Sequence, residues 1–170
     1  MGIEGIGARV LRKEDKRFIT GKGRYTDDHN AIGQHYAAFV RSPHAHAKIK
    51  GIDKSAAEAM PGVAAVLDGK QLTGDGIGNI IGGWMVHSKD GTPMNMGAWS
   101  ALATETARYV GDAVAVVIAE SLSEARAAAE AVEVNYDVQP AVVSAVDAMK
   151  DGAPQIHPEA KNNIIFDWEI

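Results

Sequence analysis

The chain reads as a mixed α+β domain. Three observations predict this: a continuous apolar run of strand length at residues 113–119 (AVAVVIA), alternating patterns at 47–52 and 132–138, and an Ala-rich helical pattern at 121–131. Periodicities of two and of about 3.6 residues thus alternate along one chain of 170 residues, a length that suits a single hydrophobic core.

The elements follow in order. Residues 5–28 are too polar for a core element and are expected to form a surface segment, with a helical turn at 14–19 ended by Gly21. Gly21 and Gly23 around Lys22 permit a positive φ or a close backbone approach. Residues 34–41 and 47–52 then predict a strand pair closed by a Pro43-His44-Ala45-His46 corner, a β-hairpin. Asp53 can cap a short helix at 54–60, which Pro61-Gly62 stops before a strand at 63–67.

Residues 69–99 carry Gly74, Gly76, Gly78, Gly82, Gly83, Gly91 and Gly97 together with Trp84 and Trp99, and predict a long irregular binding or contact loop. Gly74-Asp75-Gly76-Ile77-Gly78 lacks the spacing and flanking strands of a dinucleotide fingerprint. After the apolar strand at 113–119, Ser121 and Glu124 form a capping-box pattern, with Arg126 and Glu130 spaced to pair on the helix. Residues 132–138 alternate as a half-buried strand, so a crossover to a parallel partner fits, though other connections remain open. Ser144 can cap a helix at 145–149, residues 151–154 form a turn, and 162–170 predict a final strand with Ile164, Phe166 and Trp168 on one face. Such a face, left exposed, implies self-association as a homo-oligomer.

Composition excludes several functions. The net charge is -5, and the densest basic stretch, Arg12 to Arg17, is interrupted by Glu14 and Asp15, so no basic face points to nucleic acid. Cys is absent, which removes disulfides and iron–sulfur ligation by this chain. No apolar run is long enough to cross a bilayer, and residues 1–10 resemble neither a signal peptide nor a myristoylation site, so a cytoplasmic protein is expected.

One pair of side chains suggests metal chemistry. His44 and His46 would share a face of an extended segment, where two imidazoles can bind zinc, iron or copper. Three or four ligands are needed, however, and His29, His35, His87 and His157 are scattered without a recurring spacing. The corner of a hairpin is therefore the stronger reading. Asp27, Asp28 and Asp112 read as turn and capping carboxylates. Arg24, Arg41 and Arg108, beside aromatic residues, suit buried or interfacial ion pairs. Ser42 lies near His44 and His46, but residues so close in a turn rarely reach the geometry of a nucleophile and its base. Ala148-Met149-Lys150 resembles the carrier tripeptide of biotin-attachment domains, yet it ends a helical pattern, where a lysine complements the helix dipole.

The blocks FVRSPHAHAKIKGID at 39–53, ITGKGRYTDD at 19–28, RYVGDAVAVVIAES at 108–121 and VEVNYDVQPAVVSAVDAM at 132–149 resemble, in order, the start of the molybdopterin-binding large subunit of the molybdenum hydroxylases. That family includes xanthine dehydrogenase, aldehyde oxidases and carbon monoxide dehydrogenases, and NNIIFDWEI at 162–170 resembles the last branch. The resemblance implies an α/β-hammerhead domain at 29–160, preceded by the surface segment at 1–28 and followed at 161–170 by the start of a connection to a pterin-binding region. It also implies a parent enzyme with molybdopterin cytosine dinucleotide, iron–sulfur clusters and FAD, the last two on partner subunits or domains. The expected partners are the remainder of the large subunit and the iron–sulfur and flavin subunits. No catalytic or cofactor-binding residue of the family has a matching position here. A free-standing interaction or small-ligand module of the same fold is the alternative, and a separate metal enzyme built on His44 and His46 is a third.

Overall fold

A computed structural model describes residues 6–7, 10–95 and 97–169. The readings made of residues 1–5, and of Ile170 in the final strand, lie outside the described residues. The chain divides into two compact units, Met1–Gln34 and His35–Ile170.

In the first unit the helical turn predicted at 14–19 is α1 (Asp15–Ile19). Gly21 takes φ +69°, which lets Lys22 N–H reach back to the Arg17 carbonyl at 2.9 Å. Gly23 is required by proximity instead: a Cβ there would lie 2.1 Å from the Phe18 ring. Phe18 stacks on Tyr25 with ring centroids 5.0 Å apart. A 3-10 turn (Thr26–Asp28) follows, and the Asp28 carboxylate accepts the Tyr25 N–H at 2.8 Å, the turn role expected of it.

Among its described residues the second unit holds six strands: β1 (Tyr36–Arg41), β2 (Ala47–Asp53), β3 (Val63–Asp68), β4 (Thr106–Ala107), β5 (Ala113–Ala119) and β6 (Glu133–Val138). They form two antiparallel sheets, ordered β1-β5-β3 and β4-β2-β6. The hairpin expected of β1 and β2 is therefore absent, because each joins a different sheet. The physical reason lies at the corner. Ser42 N–H donates to the Asp112 carbonyl at 2.8 Å and the Ser42 carbonyl accepts from Gly111 N–H at 2.8 Å, so the chain leaving β1 is tied to the turn before β5 rather than folding back on itself. The parallel crossover from β5 to β6 is likewise absent, since these strands also lie in different sheets.

β5 is the centre of its sheet, and its apolar sequence explains why. Val114, Ala115, Val117 and Ala119 are fully buried, so no face of the strand is left for polar residues. β2 shows the expected alternation, with Ala47 and Ile49 buried and Lys48 and Lys50 exposed, up to a register shift between Ile49 and Gly51.

Among the described residues there are five helices: α1, α2 (Ser55–Glu58), α3 (Gly69–Gly74), α4 (Leu122–Glu130) and α5 (Ala145–Ala148). Asp53 starts the predicted helix by accepting the Ser55 N–H at 2.9 Å, but the helix is shorter than 54–60. α3 replaces the first part of the irregular stretch expected at 69–99. Asp68 caps α3 through Gln71 N–H. Ser121 caps α4 through Glu124 N–H at 3.2 Å, while the Glu124 carboxylate accepts from the Ser121 hydroxyl at 2.6 Å, so half of the predicted capping box forms. Ser144 caps α5 as expected.

The core has two clusters. Ala57, Val66, Val117, Ala128 and Val132 pack α2 and α4 onto the first sheet, and Ile49, Ala103, Ala107 and Val114 fill the other side of β5. Val40, Ile52 and Val134 touch both clusters. Among the described residues of the strand predicted at 162–170, none is in a strand. A 3-10 turn (Lys161–Asn163) takes positive φ at Asn162 and Asn163, and Ile164, Ile165 and Phe166 are equally exposed, at 41%, 40% and 41%. An alternating face needs a pleated strand, and here the chain is turned just before it.

Candidate functional site

The corner that suggested metal binding is built by Ser42. Its side chain is buried, and its hydroxyl accepts the His44 N–H at 3.1 Å and donates to the His44 carbonyl at 3.2 Å, so it is committed to the turn. His46 Nδ1 lies 2.8 Å from the Pro140 carbonyl and serves as a donor there. The His44 ring meets Tyr136 edge-on, with centroids 5.0 Å apart. Burial raises the pKa of the buried Tyr136 hydroxyl, the Asp112 charge adds to this, and the nearby Ser42 hydroxyl opposes it. Among the described residues no group of three or more His, Cys, Asp or Glu side chains converges on a metal position.

A second assembly forms around the turn before β5. Asp112 accepts the Arg108 N–H through Oδ2 at 2.9 Å, which closes the turn, and Arg108 Nε–H donates to the Ile156 carbonyl at 3.3 Å. Arg41 reaches the same turn, donating to the Gly111 carbonyl at 2.8 Å while lying over the Phe39 ring at 5.4 Å. Burial and the neighbouring Asp112 carboxylate raise the Tyr109 pKa. Beside this turn opens a cavity of about 280 Å³ lined by Trp99, Arg108, Tyr109, Asp112, His157 and Ile165, among others.

The roof of that cavity comes from the C-terminal segment. Asn95 Nδ2 donates to the Glu159 carbonyl, Asn95 N–H to the Ile165 carbonyl at 3.0 Å, and Lys89 N–H to the Asp167 carbonyl at 2.8 Å. Lys89 and Asp167 also form an exposed ion pair at 2.9 Å. The Glu159 carboxyl is held below its usual pKa by its own backbone N–H, then by that of Ala98 and by the His157 and Arg108 charges. His157 Nδ1 lies 3.8 Å from Glu159 Oε1, beyond hydrogen-bond distance, and is otherwise buried without a partner. Gly97 is needed beside this carboxylate, because its φ is +62° and a Cβ would fall 1.9 Å from Glu159 Oε1.

Of the arginines singled out in the sequence, Arg41 and Arg108 meet at one turn, and Arg24 belongs to the other unit. His157, Glu159 and Trp99 escape sequence reasoning. They come together only because the segment after α5 docks along residues 88–98, and no local spacing announces that. The predicted loop at 69–99 exposes Ile77, Ile80, Ile81, Trp84 and Met85.

This arrangement of strands and helices has relatives. Residues 20–140 match the family described as aldehyde oxidase and xanthine dehydrogenase, a/b hammerhead domain. The chain belongs to this family. The chain is 38% identical, over 99% of its length, to the carbon monoxide dehydrogenase large chain of Hydrogenophaga pseudoflava, of which it covers 21%. Among solved structures it resembles a Cu,Mo carbon monoxide dehydrogenase, with a TM-score of 0.70 and 38% identity over 89% of this chain and 18% of that one. It also resembles quinoline 2-oxidoreductase from Pseudomonas putida 86, with a TM-score of 0.75 and 37% identity over 85% and 18%. The chain thus spans about a fifth of the length of the curated relatives it matches.

The cavity beside the 108–112 turn does not fit the molybdenum-pterin group that the family implies. That cavity, of about 280 Å³, is smaller than the range of about 300–1,000 Å³ in which drug-sized ligands are enclosed, and a pterin dinucleotide is larger than those. No helix among the described residues is long and apolar enough to cross a membrane.

Proposed function

We propose that this chain is the structural hammerhead domain of a molybdenum-pterin hydroxylase large subunit, of the class that oxidises aldehydes, purines or carbon monoxide, and that it has no activity by itself. The observation that supports this most is the 38% identity along nearly the whole chain to a large chain about five times its length. Its role is to supply packing surface. The parent enzyme, a cytoplasmic oxidoreductase, carries molybdopterin elsewhere in the large subunit and passes electrons to iron–sulfur and flavin groups on partner subunits or domains. The Ile77, Ile80, Ile81, Trp84 and Met85 side chains, all exposed, suit contacts with those partners.

The purified 170-residue chain tests the reading. The expected result is no molybdenum by elemental analysis and no dye-linked oxidation of aldehyde, hypoxanthine or carbon monoxide. Stoichiometric molybdenum, or turnover by the chain alone, would overturn it. A free-standing ligand-binding module is the second reading, favoured by the cavity beside Arg108. The two separate on whether the reading frame continues into a pterin-binding region.

A further inference from the structure

A packing role makes no use of the cavity beside the 108–112 turn, and its chemistry is specific enough to name an occupant. Trp99 and Ile165 line it with apolar surface, and Arg108, Tyr109, Asp112 and His157 add polar groups to the lining. An apolar cavity of about 150 Å³ is enough for benzene, so about 280 Å³ admits one ring with a substituent.

The polar groups decide the substituent. Asp112 is half-buried, accepts the Arg108 N–H through Oδ2 at 2.9 Å and is also hydrogen-bonded by the Tyr109 hydroxyl, and the four lone-pair sites of a carboxylate leave room for one donor more. Arg108 lies four residues away and carries the opposite charge, with its Nε–H already given to the Ile156 carbonyl. A charged ligand would face both signs and lose its hydration without a clear counter-charge. A neutral donor loses much less.

We propose that this cavity binds a small uncharged aromatic ring carrying one O–H or N–H group. The ring rests against Trp99 and Ile165, and the polar hydrogen is donated to the Asp112 carboxylate. The site does not depend on the catalytic class proposed above, because every residue in it belongs to this chain.

Phenol, toluene and benzoate are the probes, followed by the NMR signals of the 170-residue chain, the Trp99 indole N–H first. The expected result is saturable binding of phenol, about three- to tenfold weaker binding of toluene, as one hydrogen bond of ordinary strength implies, and none of benzoate. Asp112→Asn keeps an acceptor for the Arg108 N–H while removing the charge, and should reduce the preference for phenol over toluene without changing toluene binding. Ile165→Trp, at a partly exposed position, fills the cavity and should abolish both. No saturable phenol binding, equal affinity for phenol and toluene, or phenol binding that survives Ile165→Trp would each overturn the proposal.

Discussion

Gly69 lies so close to Ala103 that a Cβ placed on it would come within 2.7 Å of the Ala103 carbonyl oxygen, and equally near that of Leu102. Gly69 opens α3, where Ala has the better intrinsic propensity by up to about 1 kcal/mol. The collision works against that gain, and backbone carbonyls cannot rotate away as a side chain can. Overpacking of this kind costs about 1–3 kcal/mol. Gly69→Ala is therefore expected to lower the urea midpoint without changing the slope. A midpoint at or above that of the parent would show that residues 102–103 yield freely.

Ser42 carries a second expectation. Its hydroxyl both accepts from and donates to His44 within a buried corner, and its N–H is bound to Asp112. Ser42→Ala leaves the His44 N–H without its acceptor, at a cost of about 1–3 kcal/mol. Thermal unfolding of the variant measures this directly. A loss confined to a few tenths would mean that water replaces the hydroxyl.

Much of the fold was legible because some residues admit few alternatives. The run AVAVVIA needs cover on both faces and both edges, and β5 is the central strand. Ser121 and Ser144 stand before helical patterns and cap them. Strand partnership was not legible, since the bond that sends β1 and β2 apart joins Ser42 to Asp112, 70 residues on. α3 was hidden by the glycines at its ends, and Gly69 is there for close approach, not for a loop. The tail misled for another reason: Ile164, Phe166 and Trp168 alternate in sequence, but Asn162 and Asn163 turn the chain ahead of them. The cavity was least accessible to sequence reasoning, because Trp99, Asp112 and His157 share no spacing.

Asp68 gives a pH dependence. Burial pushes its carboxyl up, but the Gln71 N–H at 2.9 Å and the Lys54 ammonium at 3.1 Å outweigh burial and hold the pKa below the usual carboxylate value. A carboxyl depressed in the folded state contributes stability above its unfolded pKa of about 3.9, and that contribution is lost as pH falls through the lower folded value. Stability should thus decline below about pH 4, and Asp68→Asn should flatten that decline while lowering stability at pH 7. Denaturant titrations at pH 3 and pH 7 make the comparison. An unchanged acid slope in the variant would place the effect on other carboxylates.

Ser121 offers the cleanest test of a local signal. Its hydroxyl accepts the Glu124 N–H at 3.2 Å at the start of α4, whose Ala125 and Ala128 are buried against the sheet. Ser121→Ala should cost about 0.5–2 kcal/mol and Ser121→Gly only about a few tenths, while Ser121→Asp should retain most of the cap and add a favourable charge at the helix N-terminus. The order of the unfolding midpoints checks this, with aspartate at least equal to serine.

His44 and His46 separate a metal role from a packing role. His46 holds the Pro140 carbonyl at 2.8 Å and His44 lies edge-on to Tyr136, so each imidazole already has a contact that needs no ion. The His44→Ala, His46→Ala double variant should lose about 1–3 kcal/mol, the sum of one hydrogen bond and one aromatic contact of ordinary strength. Its zinc, iron and copper content should equal that of the parent, and a chelator should leave the parent's unfolding midpoint where it was. A midpoint that falls on chelation in the parent but not in the double variant would restore the metal reading, because binding to the folded state alone must add to stability.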